Sequence, residues 1–250
     1  MKAIILAAGY ATRLYPLTKN KPKSLLEISN IPIITYIVEK VNELEVINEL
    51  YIITNELFFK DFINWKKNIK SRLKIEIIND GTNSLENKLG AIGDLNFCIN
   101  KKNINEDILV IAGDNFFDFS LINFYNFYNT NKKDSVLIGE LENKELLNQF
   151  GVAVVENNKI IDLVEKPKFP KSNIVVYAIY FYTQETVKLI SEYLKNGNNP
   201  DAPGNFVSWL YKIKDVLAYK IEGECFDIGT FESYNDALTT HKFTNSIKES

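Results

Sequence analysis

Ile108-Leu109-Val110-Ile111-Ala112-Gly113-Asp114-Asn115 opens with the most apolar short run in the chain and stops on a glycine and an acid. Five apolar residues without alternation describe a strand buried on both faces, the habit of a central strand in a parallel sheet. The pattern repeats on either side. Ala3 to Ala8 is another apolar run, bounded by Gly9. Over 33–45, Ile34, Ile37, Val38, Val41 and Leu44 share one face at helical spacing. A strand at 49–54, a helix at 56–70 and a strand at 74–79 follow, then a polar loop over 80–93 leading into a helix to about 100, and a helix at 120–130. Strands alternating with helical periods predict βαβ units, and so an α/β fold: a Rossmann-like mixed sheet with helices on both faces.

Beyond residue 134 the pattern becomes strand-rich, at 135–141, 151–156, 159–164 and 174–182. Asn157-Asn158 between two of these runs is a hairpin signal, because Asn tolerates positive φ. A helix at 184–195, a Gly/Pro/Asn loop at 196–205 and strands at 216–221 and 224–227 complete the reading. Phe116, Phe117, Phe119, Phe124, Tyr125, Phe127 and Tyr128 read as helix packing into the core. Lys66, Lys67 and Lys70 read as an exposed helix face, and His241 as a surface helix residue.

Composition narrows the chemistry. Of 250 residues, 46% are hydrophobic and 24% charged, an ordinary globular balance. With 29 Lys+Arg against 32 Asp+Glu the net charge is −3, which argues against a general nucleic-acid binder. No stretch approaches the ~20 apolar residues of a membrane span. Cys98 and Cys225 form no disulfide framework and lack metal-ligand spacing, so a cytoplasmic location is expected. A single histidine disfavours Ser-His-Asp and His-metal chemistry. Catalysis is left to carboxylates, Lys and Arg.

Loops beyond the carboxyl ends of parallel strands are where such sheets bind ligands. Three polar loops fit, at 9–23, 80–93 and 113–118. The first carries Gly9, Arg13, Lys19, Lys21 and Lys23 but neither the Walker A spacing nor the dinucleotide fingerprint. It is either a polyphosphate cradle or a solvated basic loop. Asp114, at the end of the apolar run, and Asp227, in Cys225-Phe226-Asp227-Ile228-Gly229-Thr230, are either local caps or Mg²⁺ ligands. Taken with the cationic loop they describe metal-assisted phosphoryl or nucleotidyl transfer.

Leu6-Ala7-Ala8-Gly9-Tyr10-Ala11-Thr12-Arg13-Leu14-Tyr15-Pro16-Leu17-Thr18, continuing through Lys21-Pro22-Lys23-Ser24-Leu25-Leu26, resembles the signature of sugar-1-phosphate nucleotidylyltransferases. Gly113-Asp114-Asn115, Glu165-Lys166-Pro167 and Asp227-Ile228-Gly229-Thr230 resemble that family's later motifs, in the same order. Glucose-1-phosphate thymidylyl- and uridylyltransferases are the nearest in kind. The resemblance implies a three-layer α/β/α fold and one catalytic domain over 1–250. Its nucleotide-binding half would span about 1–133, its sugar-phosphate section about 134–183 and its C-terminal completion about 184–240. It also implies roles. Leu6, Ala8 and Gly9 would meet the nucleotide through backbone, Arg13 and Lys23 the triphosphate, and Gly90 the base. Asp114 and Asp227 would hold Mg²⁺, while Gly151, Glu165 and Lys166 would face the sugar phosphate. Arg13, Lys23, Asp114, Lys166 and Asp227 form the catalytic set.

The implied reaction joins a nucleoside triphosphate, dTTP or UTP first, to a sugar-1-phosphate, glucose-1-phosphate first. These two are the expected partners, without nucleic acid or membrane, and homo-oligomer formation stays open. At 250 residues the catalytic fold is expected to use essentially the whole chain, with one activity. The sequence departs from the family pattern at the long polar loop 80–88, at Asp94 and at Ala178, which leaves base and acceptor open. A GTP- or CTP-using enzyme with another phosphate acceptor and a catalytically silent nucleotide-sugar sensor are the alternatives. A nicotinamide oxidoreductase would want glycines where Tyr10-Ala11-Thr12-Arg13 stands.

Overall fold

A computed structural model describes the backbone of residues 1–248 and the side chains of residues 1–240. β1 (Lys2–Leu6) is followed by two 3₁₀ turns, Thr12–Leu14 and Lys23–Leu25, and by a small hairpin of β2 (Glu27–Ile28) and β3 (Ile31–Pro32). Then come α1 (Ile33–Asn42), β4 (Glu49–Thr54), α2 (Phe59–Lys66), β5 (Lys74–Asn79), α3 (Ala91–Lys102) and β6 (Ile108–Ala112). The chain continues through β7 (Asn115–Phe117), α4 (Ile122–Asn131), β8 (Ser135–Glu140), a 3₁₀ segment (Lys144–Gln149), β9 (Gly151–Glu156), β10 (Lys159–Glu165) and β11 (Ile174–Tyr182). It closes with α5 (Gln184–Lys195), α6 (Pro203–Leu210), β12 (Leu217–Lys220), β13 (Cys225–Asp227) and α7 (Phe231–Lys248).

Nine strands form one sheet in the order β5-β4-β1-β6-β11-β8-β12-β10-β9. β1, β4, β5 and β6 run parallel. β11 lies antiparallel to β6, so the run at 108–112 is central as expected but parallel on one side only. Strands β8 to β12 continue this sheet, with β12 between β8 and β10, whereas β13 pairs with β7 apart from it. Side-chain alternation along β1 explains the layering. Ala3 and Ile5 pack into one core with α1, α2 and α4, whereas Ile4 and Leu6 pack into a second with α3, α5 and α6. Both faces of the sheet are therefore covered by helices, which gives three layers.

The departures from the sequence reading have local causes. The helix expected over 56–70 is shorter, Phe59–Lys66. Asn55 is spent on a bridge: its Oδ1 accepts the Phe58 N–H at 3.1 Å and its Nδ2 donates to the Ala8 carbonyl at 2.8 Å. Residues 196–205, read as a loop, hold the start of α6, whose first position is Pro203. A proline there sacrifices an N–H that has no helical partner anyway. Phe116 and Phe117 pack into the core from strand β7, not from a helix, while Phe124 and Tyr128 are buried on α4 against Phe181. Asn157 and Asn158 take φ of 48° and 60° at the β9–β10 turn, as the hairpin requires. Lys66, Lys67 and Lys70 are exposed. The expectation for His241 lies outside the residues whose side chains are described. Among the described residues no helix is long and apolar enough to cross a membrane.

Phe206 of α6 is fully buried and meets Tyr182, Tyr193 and Trp209. Phe206→Ala should lower stability by about 3–5 kcal/mol through the cavity it leaves. Denaturant unfolding reads that as a lower midpoint; an unchanged midpoint would mean α6 contributes little to the core.

Candidate active site

β1 and β6 end side by side, with Leu6 opposite Ala112. The Gly113 N–H then donates to the Leu6 carbonyl at 2.8 Å, which starts two loops from one point at the sheet's carboxyl edge. Gly113 has no alternative here. A Cβ would stand 2.7 Å from Ser24 Oγ and 3.0 Å from the Leu6 carbonyl oxygen.

The first loop is built to receive an anion. The N–H groups of Ala8 through Arg13 have no hydrogen-bond acceptor among the described residues. Ala11 turns left-handed, φ 47° and ψ 42°, and Thr18 Oγ1 donates to its carbonyl at 2.7 Å. Consecutive free N–H groups around a left-handed residue form a concave nest of positive potential. Arg13 and Lys23 line the same hollow.

Two carboxylates close the other side. β7 and β13 pair antiparallel with Asn115 opposite Asp227, and the Ile228 N–H donates to the Asp114 carbonyl at 3.1 Å. That short ribbon sets Asp227 beside Asp114. Lys23 Nζ makes an ion pair with Asp114. Burial, and then the charge of Asp114, push Asp227 up to about 6, while Lys23, Lys166 and Arg13 pull it down. A carboxylate raised this way is one whose burial and negative neighbours outweigh its cations.

A cleft of about 350 Å³ runs along this edge. Leu6, Ala8, Gly9, Arg13, Lys23, Gly90 and Asp114 all line it, which gathers seven of the sequence-derived site residues. A smaller adjoining cavity of about 70 Å³ shares Arg13 and adds Lys166 and Asp227. Lys166 is held in a left-handed conformation, φ 48°, with its N–H donating to the Phe150 carbonyl at 3.0 Å. Gly151 and Glu165 line neither cavity. The Glu165 carboxylate fills a notch between two glycines: a Cβ on Gly151 would lie 2.9 Å from its Oε2, and one on Gly204 only 1.9 Å. Burial raises its pKa, against Lys166 and in the same direction as Asp227.

Sequence reasoning missed several lining residues. Ser24, Lys88, Asp201 and Pro203 border the cleft, and Lys88 pairs with Asp201 at 3.1 Å. The role of Gly204 is legible only once α6 meets β10. Tyr10 lines the cleft and donates its hydroxyl to Thr82 Oγ1 at 3.2 Å, whereas Tyr15 is exposed away from it. Ala178 lines neither cavity. Gly90 does line the cleft, but its lack of a side chain answers to backbone: φ is +79° and a Cβ would stand 2.7 Å from the Pro200 carbonyl oxygen.

The Nucleotidyl transferase family model matches residues 2–242. The chain belongs to that family of enzymes. A bifunctional protein GlmU of Methanococcus aeolicus is 32% identical over 242 residues, which is 96% of this chain and 54% of the relative. The chain thus spans about half the length of that relative. The UTP–glucose-1-phosphate uridylyltransferase AglF of Haloferax volcanii is 26% identical over 73% of this chain and 72% of its own. Among solved structures, a Bacillus anthracis chain described as a putative glucose-1-phosphate thymidylyltransferase superposes with TM-score 0.82 at 27% identity, over 96% of this chain and 94% of that one. The nucleotidyltransferase fold read from the sequence is therefore the fold observed.

Two glycines of the cleft should respond differently to one methyl group. Gly90→Ala combines positive φ with a backbone clash and should lower stability by about 1–3 kcal/mol. A Cβ on Gly9 would meet nothing within 4 Å, so Gly9→Ala should change stability by no more than about 0.5 kcal/mol. Thermal unfolding of the two variants side by side decides this; equal losses would contradict the backbone account of Gly90.

Proposed function

We propose that this chain is a Mg²⁺-dependent sugar-1-phosphate nucleotidylyltransferase, with UTP or dTTP as donor and glucose-1-phosphate as acceptor. The observation that carries the reading is the meeting of Asp114 and Asp227 with Lys23, Arg13 and Lys166 where the two cavities adjoin. The donor set fits Mg²⁺. Among the described residues no group of three or more His, Cys, Asp or Glu gathers for a metal. Two carboxylates with phosphate oxygens and water complete the shell this ion prefers. When bound, the ion supplies charge neutralisation at the reacting phosphates.

The residues divide the work. The free N–H groups of 8–13 and the Arg13 and Lys23 cations hold the triphosphate in the larger cleft. Lys166, at the smaller cavity, takes the acceptor phosphate; Glu165, which lines neither cavity, backs Lys166 at 3.9 Å from the notch that Gly151 and Gly204 leave. An oxygen of the acceptor phosphate attacks the α-phosphorus and pyrophosphate leaves. A phosphate monoester is largely ionised at neutral pH, so no general base is required, which suits a chain with one histidine. The cations lower the repulsion between two anions and stabilise the charge that builds in transfer, and the paired cavities supply orientation. AglF and the Bacillus anthracis chain support uracil or thymine and glucose as first choices.

Pyrophosphate release over a panel of nucleoside triphosphates and sugar phosphates, with Mg²⁺ or EDTA, tests the reading. UTP or dTTP with glucose-1-phosphate should be the best pair, and EDTA should stop it. Silence across the panel would favour a nucleotide-sugar sensor. Asp114→Asn should lower turnover by about 100-fold or more with the fold intact; near-normal turnover would remove Asp114 from the metal site. Lys166→Ala should raise KM for the sugar phosphate far more than for the nucleotide, and equal losses would contradict its assignment.

A further inference from the structure

One acid of the cleft takes no part in this chemistry. Asp94 sits in the first turn of α3, only 6% exposed, yet lines the cleft. Its surroundings differ from those of Asp114. Tyr10 donates to Thr82 Oγ1, the Thr82 N–H donates to Asp80 Oδ1 at 2.6 Å, and the Asp80 carboxyl lies close enough to Asp94 to raise its pKa. None of the cations Arg13, Lys23 or Lys166 bears on Asp94. The triphosphate belongs with those cations, so the end of the cleft that holds Tyr10 and Asp94 is left for the base.

Two neighbouring buried carboxyl groups favour one proton between them, because charging both costs more than charging one. Asp80 already accepts the Thr82 backbone N–H. The buried Asp94 Oδ1 has no hydrogen-bond partner among the described residues. Protonated on the side toward Asp80, Asp94 keeps its other oxygen as a neutral acceptor for the cleft that it lines.

We propose that Asp94, backed by Asp80, reads the nucleobase by accepting the imide N3–H of uracil or thymine. Cytosine presents a lone pair at that atom, so acceptor would face acceptor and the base is rejected. The inference rests on the proposed reading of the donor as UTP or dTTP. It also gives the acid pair a pH signature. Burial, then the charge of Asp80, push Asp94 up to about 8, so the neutral acceptor persists at neutral pH and is lost as pH rises through that value. The other groups facing this end are Tyr10, Glu86 and Lys88, with Asp201 paired to Lys88. A second negative charge beside Asp80 would repel the uracil carbonyls and erode the preference.

The test is isothermal titration calorimetry of UTP, dTTP, CTP and GTP with Mg²⁺, without acceptor, on wild type, Asp94→Asn and Asp94→Ala, at about pH 7 and about pH 9. Wild type should bind UTP and dTTP about tenfold or more tighter than CTP at the lower pH, with a smaller ratio at the higher one. Asp94→Asn donates its amide to Asp80 and keeps a carbonyl toward the cleft, so it should hold the ratio at both values. Asp94→Ala should bring UTP and CTP within roughly threefold of each other. An unchanged ratio in Asp94→Ala overturns the proposal. So does Asp94→Asn losing the ratio, a variant that also decides the matter if the alanine variant does not fold. A wild type that prefers GTP overturns the imide assignment. Pyrophosphate release is measured separately: its absence defeats the proposed reaction, while the binding ratios still judge Asp94.

Discussion

The structure turns on two carboxylates held side by side although Asp114 and Asp227 are 113 positions apart in the sequence. A ribbon of three residues from each of β7 and β13 does this, with Asn115 opposite Asp227. Left to themselves the two acids repel, which adds to burial in raising Asp227. Folding tolerates that repulsion because Lys23 comes in from the first loop to pair with Asp114, and Arg13 and Lys166 act on Asp227. Arg13 and Lys23 come from the first loop, and Lys166 from the end of β10. The acid pair therefore fixes where the first loop and the end of β10 must lie.

The same constraint explains the small residues around it. β1 and β6 can start two loops from one point only because Gly113 has no side chain to meet Ser24. Glu165 can sink beside the smaller cavity only because Gly151 and Gly204 leave it room. The nest of free N–H groups from Ala8 to Arg13 adds positive potential that does not need a side chain. A chain of net charge −3 thus gathers its positive field at one edge of the sheet, where field lines from a low-dielectric wall are concentrated.

Much of this was legible in the sequence. Strands 74–79, 108–112, 151–156 and 174–182 and helix 184–195 have the bounds the residue pattern gave them, because each is a long apolar or strongly periodic run. β7 escaped because three residues are too few to show a period. α6 escaped because Pro203-Gly204-Asn205 reads as a loop until Pro203 is seen as a helix start. Arg13, Lys23 and Asp114 could be placed together because all follow the carboxyl ends of parallel strands. The resemblance put Glu165 at the sugar phosphate, but its setting was not legible, since it depends on Gly204, 39 residues later and on another element. The Asp94–Asp80 contact was equally hidden. Asp94 stood out as a departure from the family pattern, but its partner lies at the end of β5, across the polar loop.

We propose that the acid pair becomes a metal site only when a triphosphate supplies the remaining ligands. Mn²⁺ binding followed by electron paramagnetic resonance, with and without UTP, tests this most directly. Weak binding by the protein alone, strong binding with UTP present, and loss of the strong mode in Asp227→Asn is the predicted result. Strong Mn²⁺ binding without nucleotide, or a strong mode that survives Asp227→Asn, would contradict it.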